Sequence, residues 1–405
     1  EDSYWATTLG TDGTIVAVGR QVTGKNTYVP IFTGTMANST VKFDVKALKT
    51  GLRGQLNGVT TTSTGAYVGV GCSDPNSQGE CAHCYAVQVN ANGKIDWEVE
   101  CGSNQPTSTV AALANGGVVV VGPHYVATIQ GRLTELNSAG KVGMQMEDKA
   151  PSPFVHQVFN SVAVAPAGGY WVGAAVDSVV RILRIQDTGV VIFGTVLATS
   201  APEKSENVYQ LAADKDGVTA FGVSQYGPYG KDDAWVGRVD NNGKLVFKTY
   251  FGGSGKDGFY DAIAAPGGGY FVAGYSTVNS SPAATQQGLV GRVSSAGQMV
   301  WQRTFADLHS DWRGIGLTPK GSLVLAGYTF IQTAGEADTL LATCDLYGNC
   351  DCTTSGTCLT KKPADCDDAN VCTLDWCEAS ACKHAIGNEG LTCDTNKTCQ
   401  KGKCL

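Results

Sequence analysis

The sequence predicts an all-β fold: a seven-bladed β-propeller followed by a small, disulfide-rich and loop-rich C-terminal domain. Three observations predict it. A short apolar segment recurs seven times, a glycine-to-bulky-residue marker recurs in phase with it, and most of the cysteines crowd into the last sixty residues.

The first marker is a glycine-bounded apolar run: "GTIVAVG" ending at Gly19, "GAYVGVG" at Gly71, "GGVVVVG" at Gly122, "GGYWVGA" at Ala174, "DGVTAFG" at Gly222, "GGYFVAG" at Gly274 and "GSLVLAG" at Gly327. Neighbouring copies lie about 48 to 53 residues apart, a period that belongs to propellers and related arrays. The second marker places a glycine four residues before Trp97, Met144, Phe193, Phe247 and Trp301; Cys352 takes that place in the seventh copy, and Phe43 fills it irregularly in the first. Each unit then reads as four strands. An inner strand is small and apolar ("YDAIAAP"), the marker run is second, a "VGRV"-like run is third and a short "KLVF"-like run is outermost. Blades are wedges, so alanine, glycine and threonine are expected at the axis and Trp or Phe at the rim. On this count the blades start near residues 1, 53, 106, 156, 206, 257 and 310, the propeller fills 1–350, and a cysteine-rich tail fills 351–405. No blade borrows a strand from the other end of the chain, so ring closure is expected to rest on face packing.

Short glycine turns such as "NNG" and "PGGG" belong to one face, where glycine accepts positive φ. Long, irregular connections such as "SQYGPYGKDD" and "EDKAPSPFVHQ" belong to the other face, where function is expected. One of these connections contains Gly253, Gly255 and Gly258 in the spacing of a dinucleotide-binding turn. The helix that such a turn needs is blocked by Pro266 and the glycines after it, so these are turn residues between strands.

The stretch "DDAWVGRVDNNGKLVFKTYFGGSGKDGFYDAIAAPGGGYFVAGYST" resembles the seven-bladed propeller repeat of large secreted and surface proteins of bacteria. The resemblance implies an extracytoplasmic setting and carries no catalytic residues. In the tail, "DCDDANVCTLDWCEASACKH" resembles the short cysteine repeat of slime-mould extracellular-matrix proteins and secreted myxobacterial proteins, departing from it at Ala369 and Ala381, where glycine is usual.

Fifteen cysteines indicate an oxidising compartment: Cys72, Cys81, Cys84 and Cys101 in blade two, then Cys344, Cys350, Cys352, Cys358, Cys366, Cys372, Cys377, Cys382, Cys393, Cys399 and Cys404. So cysteine-rich a chain favours two disulfides in blade two over a four-thiolate zinc site. At least one bridge is expected from Cys344, Cys350 or Cys352 to the tail. The odd count leaves one thiol for an inert burial, a covalent partner or self-assembly.

The net charge of −7, with no basic run, argues against nucleic acid and anionic membrane as partners. No apolar run reaches the length of a transmembrane helix, and "EDSYWATTLG" lacks a leader pattern, so a leader is expected to be absent or removed. No cofactor is expected except calcium, for which Asp365, Asp367, Asp368, Asn370 and Asp375 are the candidate ligands. On the long-loop face, Tyr226, Tyr229, Asp232, Asp257, His309, Asp311 and Trp312 combine aromatic and acidic groups, as sugar stacking and hydroxyl recognition require. The function expected is a non-catalytic secreted or cell-surface module that recognises glycan or a surface or matrix protein. The alternative is a polysaccharide-degrading enzyme using Asp257, His309 and Asp311.

Overall fold

The computed structural model describes residues 3–24, 27–35, 41–47, 53–74, 83–197, 205–277, 286–318, 321–331 and 336–352, with five short stretches of the tail, 373–378, 381–386, 392–394, 397–400 and 403–404. Every pairing within its ladders is antiparallel, and strands pair in chain order to build seven four-stranded blades. Blade five shows the plan: Glu206–Asp214 innermost, then Gly217–Ser224, Asp233–Asp240 and Leu245–Phe251. Its turns follow from local chemistry. The Asp240 carboxylate accepts hydrogen bonds from the N–H groups of Asn242 and Lys244, each at 2.9 Å, and Gly243 takes φ +82°, which a side chain resists.

Blades six and seven share one strand. Met299–Leu317 pairs by its first part with Gln286–Val293 of blade six and by its second with Leu323–Ile331 of blade seven, so seven strands form one continuous sheet. The connection "TFADLHSDW" has neither glycine nor proline, unlike the "YFGGSGKDG" connection before it, and its backbone stays extended, with a register shift between Leu289–Thr304 and Gln287–His309.

Apolar clusters fill the interfaces from blade one to blade seven, each built from the facing sheets of two neighbours; Phe159, Val208, Phe259 and Trp312, for instance, are fully buried. Burial of one such side chain stabilises the fold by about 1.5–3 kcal/mol. Blade seven closes onto blade one without exchanging a strand: a Cβ on Gly314 would lie 2.6 Å from Thr7 Oγ1 and 2.8 Å from Thr7 N.

Both sequence markers have structural causes. The residue closing each marker run lies inside the second strand, glycine in six blades and Ala174 in blade four, and in six blades it faces a point where the inner strand's register shifts by one residue. Shifts fall between Tyr4 and Ala6, Leu56 and Gly58, Phe159 and Ser161, Val208 and Gln210, Phe259 and Asp261, and Trp312 and Gly314. These are β-bulges. At each of Gly19, Gly71, Gly122, Gly222, Gly274 and Gly327, a Cβ would run into the backbone carbonyl oxygen just before the bulge, that of Gly258 in the case of Gly274. The rim marker is a blade-to-blade contact. The bulky outer residue of one blade lies under the turn glycine of the next: Phe43 at Gly93, Trp97 at Gly140, Met144 at Gly189, Phe193 at Gly243, Phe247 at Gly297 and Trp301 at Gly348. Trp97 also donates its Nε1–H to the Ser138 carbonyl at 3.1 Å.

In blade two Cys84 is bonded to Cys101, and Cys72 is disulfide-bonded too, so these three thiols are not zinc ligands. Cys344 is bonded to Cys350 within blade seven. The short turn at Gly348 brings their strands into register, and of the three cysteines expected to supply at least one bridge to the tail, Cys352 is left to make it. In the tail, Cys377 faces Cys382 and Cys399 faces Cys404 across two ladders, so the C-x4-C spacing is a hairpin register.

A glycine-to-alanine change at Gly274 is expected to destabilise the propeller by about 2 kcal/mol or more, since the new methyl has only backbone to displace. Alanine already occupies this place in blade four, as Ala174, and Ala174→Gly is expected to cost about 1 kcal/mol or less. Urea unfolding of the two variants beside the wild type measures the contrast.

Candidate functional site: the axial cavity

Inserting one residue into a strand reverses the phase of the side chains beyond it and aims the extra residue away from the sheet. In this propeller that direction is the axis. Trp5, Asn57, Asn160, Tyr209, Tyr260 and Arg313 each occupy a bulge, Ser108 takes the equivalent place in blade three, and all seven line one axial cavity of about 560 Å³. The bulges come within the first few residues of the inner strands, so the cavity lies at the end of the axis where the long connections emerge. The expectation of small residues throughout the axial strands is corrected here. Small residues hold the rest of the inner strands, while a ring of large polar and aromatic side chains crowns them.

Aromatic surfaces dominate one side. Tyr209 and Tyr260 have ring centroids 5.2 Å apart, and Tyr260 and Tyr275 are 5.1 Å apart. The Arg313 guanidinium carbon lies 3.6 Å from the Tyr260 ring centroid. Burial raises the hydroxyl pKa of Tyr209, Tyr260 and Tyr275 above the ordinary phenol value, so all three stay neutral donors.

Beneath the ring, a polar chain crosses blades. Gln210 of blade five donates from Nε2 to Asp261 Oδ1 of blade six at 2.6 Å, and Asp261 Oδ2 accepts the Ile315 N–H of blade seven at 2.8 Å. The Ala262 N–H adds a third bond to Asp261 at 2.8 Å. Asp261 is half-buried at the wall of the cavity, and desolvation outweighs these donors to push its pKa up to about 6.

The seven loop-face candidates fare differently. Trp312 is fully buried against Phe305 in the core between blades six and seven, so it offers no ring face to a ligand. Asp311 is 1% exposed, and its Oδ2 accepts Arg313 Nη2 at 2.8 Å and the Tyr328 hydroxyl at 2.9 Å, while Gln286 donates to Oδ1. Asp257 is also buried; its carboxylate accepts the Gly253 N–H at 2.9 Å and so pins the glycine turn, and burial raises its pKa. That turn leads into the strand Asp257–Ala264 rather than a helix, which removes the phosphate-binding alternative. His309 lies within the long shared strand, opposite Gln287, and not in a loop. Asp232 lies 3.5 Å from Lys256 Nζ, Tyr226 is half-buried, and Tyr229 is the exposed member. Thus Asp311 borders the cavity through Arg313, and the others are distributed over loops and core.

Asp365, Asp367, Asp368 and Asn370 lie outside the described residues, and Asp375 is on the tail strand Thr373–Glu378. Among the described residues no group of three or more His, Cys, Asp or Glu side chains is placed to hold a metal ion, and no helix is long and apolar enough to cross a membrane.

No family model matches the chain, and no curated protein matches it. Solved structures do. A protein of unknown function from Bacteroides caccae is 13% identical with a TM-score of 0.43, over 71% of this chain and 93% of that one. Streptogramin B lyase is 11% identical at 0.49, over 80% and 89%. The β-propeller domain of the Trilobed protease from Pyrococcus furiosus, which has an open velcro topology, is 8% identical at 0.47, over 87% and 98%.

A carboxyl whose folded-state pKa exceeds its unfolded value favours folding when protonated. Asp261 therefore contributes stability that is complete below its ordinary value of 3.8 and is lost as pH rises through about 6. The difference in unfolding free energy between wild type and Asp261→Asn is expected to change by up to about 3 kcal/mol between pH 4 and pH 7, in favour of the wild type at the acid end. Denaturant melts at both pH values test it; a pH-independent difference rules it out.

Proposed function

We propose that this is a non-catalytic, extracytoplasmic binding module that recognises a glycan in the axial cavity. The observation that carries the proposal is the axial ring, in which one place in the repeat presents five residue types over seven blades: Trp5, Asn57, Ser108, Asn160, Tyr209, Tyr260 and Arg313. A structural plug would be expected to repeat one residue type; a recognition surface varies it. The volume, about 560 Å³, suits a small ligand, and tyrosine, tryptophan and amide groups together suit sugar faces and hydroxyls. Glycan is favoured over a surface or matrix protein because the polar lining is recessed in a concavity. Polysaccharide cleavage is disfavoured because Asp257 and Asp311 are buried and engaged in structural bonds. The disulfides and the resemblance to bacterial surface repeats support a secreted or cell-surface setting, and the cysteine-rich tail acts in this reading as a separate stapled unit.

A glycan array followed by titration calorimetry tests the site. Tyr209→Ala is expected to lower affinity about tenfold or more, whereas Tyr229→Ala, on the outer loop, leaves it unchanged. The reverse pattern would place recognition on the loops, and binding of a protein in place of any glycan would replace the ligand class. Peptide mapping of the non-reduced protein tests the tail's attachment: a bridge from Cys352 to the tail is expected, and a free Cys352 thiol argues against it.

A further inference from the structure

The cavity wall is not electrically even. Of the seven ring positions, Arg313 is the one that carries charge, and the second cation of the lining, Arg20, comes from blade one, which adjoins blade seven. Two guanidiniums therefore stand on the same side, at the seam where the ring closes. Asn57, Ser108 and Asn160 face them from blades two to four.

The fold uses the two cations unequally: Arg313 is ion-paired with Asp311, whereas Arg20 has no carboxylate partner among the described residues. Arg313 gives Nη2 to Asp311 and to Tyr328, at 2.8 and 2.7 Å, and stacks one face on Tyr260. Its Nε is buried with no hydrogen-bond partner among the described residues. Arg20 is held by its faces alone, 5.5 Å from the Trp5 ring centroid and 5.6 Å from that of Tyr28. Its Nε is likewise buried and without a partner, and among the described residues no carboxylate lies within ion-pairing distance of it. A buried donor left unsatisfied costs about 1–3 kcal/mol, more when it is charged. Both Nε atoms are enclosed by protein, so it is the remaining edge of each guanidinium that a ligand in the cavity would meet. The rings also fix both guanidinium planes, so little freedom is lost when an acceptor arrives.

We infer that the ligand of the axial cavity carries a carboxylate, received by Arg313 and Arg20, and is thus an acidic saccharide of the uronic-acid class. The inference rests on the reading of the cavity as a glycan site and narrows it. A carboxylate supplies planar paired acceptors that match a guanidinium edge, which a neutral hydroxyl does not. The sugar ring would then lie toward Tyr209, Tyr260 and the amides opposite.

Calorimetry with three matched probes tests this: glucuronate, its amide and glucose. Glucuronate is expected to bind about tenfold or more tightly than the other two, with affinity falling as salt rises. Arg20→Gln is expected to narrow that gap without changing the melting temperature; it is the cleaner variant, since Arg313→Gln would also strip Asp311 of its cation. Equal affinity for all three probes, or an unchanged gap in Arg20→Gln, overturns the inference and leaves the cavity reading standing. If none of the three binds, both fall.

Discussion

The constraint on which this molecule depends is the one-residue bulge near the start of six of the seven inner strands, together with the small residue that faces it. The bulge presses a carbonyl oxygen toward the neighbouring strand at a distance where only a hydrogen can be tolerated, or an alanine methyl in blade four. The residue before each bulge is driven into the packing between blades, as Leu56, Phe159, Val208, Phe259 and Trp312 show by their complete burial. The residue in the bulge is driven to the axis. One backbone irregularity, repeated, thus fixes a core position and a recognition position at adjacent residues. Free variation of the second leaves the first intact.

Much of the architecture was legible because both markers are steric. Gly274 and its relatives stand where a Cβ cannot, and Gly297 and its relatives stand where an aromatic ring of the previous blade must fit. Steric demands of this kind leave one residue type in place through every copy. The axial ring was not read, although its signal is present: Trp5, Asn57, Ser108, Asn160, Tyr209, Tyr260 and Arg313 fall at one place in the repeat, within strands otherwise small. Simple alternation assigns that column to the same face as the wrong neighbours, because it does not count the inserted residue. Trp312 was taken for a ligand-binding aromatic for the same reason. It precedes the bulge and so faces the core, while Arg313 beside it faces the cavity. The repeat places His309 in a long connection, whereas its residues lie in the extended strand Met299–Leu317, past a register shift that follows Thr304.

The polar chain beneath the ring shows how such a cavity keeps its shape. Gln210, Asp261 and the Ile315 amide tie blades five, six and seven at the level where aromatic packing gives way to open space. Desolvation of the half-buried Asp261 opposes the hydrogen bonds that favour its charge, which sets the carboxyl at odds with its own ionisation. The site above is therefore supported by groups chosen for geometry rather than for stability.

The strand shared by blades six and seven also has a mechanical consequence. One stretch of backbone is bonded to blade six by its first part and to blade seven by its second, so the annulus is tied more directly there than between blades joined by glycine turns. Its remaining joint at that end is the uncrossed boundary where Gly314 leans on Thr7, between the two arginines' home sheets. Because Arg20 and Arg313 come from the two sheets that meet there, the packing of that boundary sets the spacing of the guanidiniums.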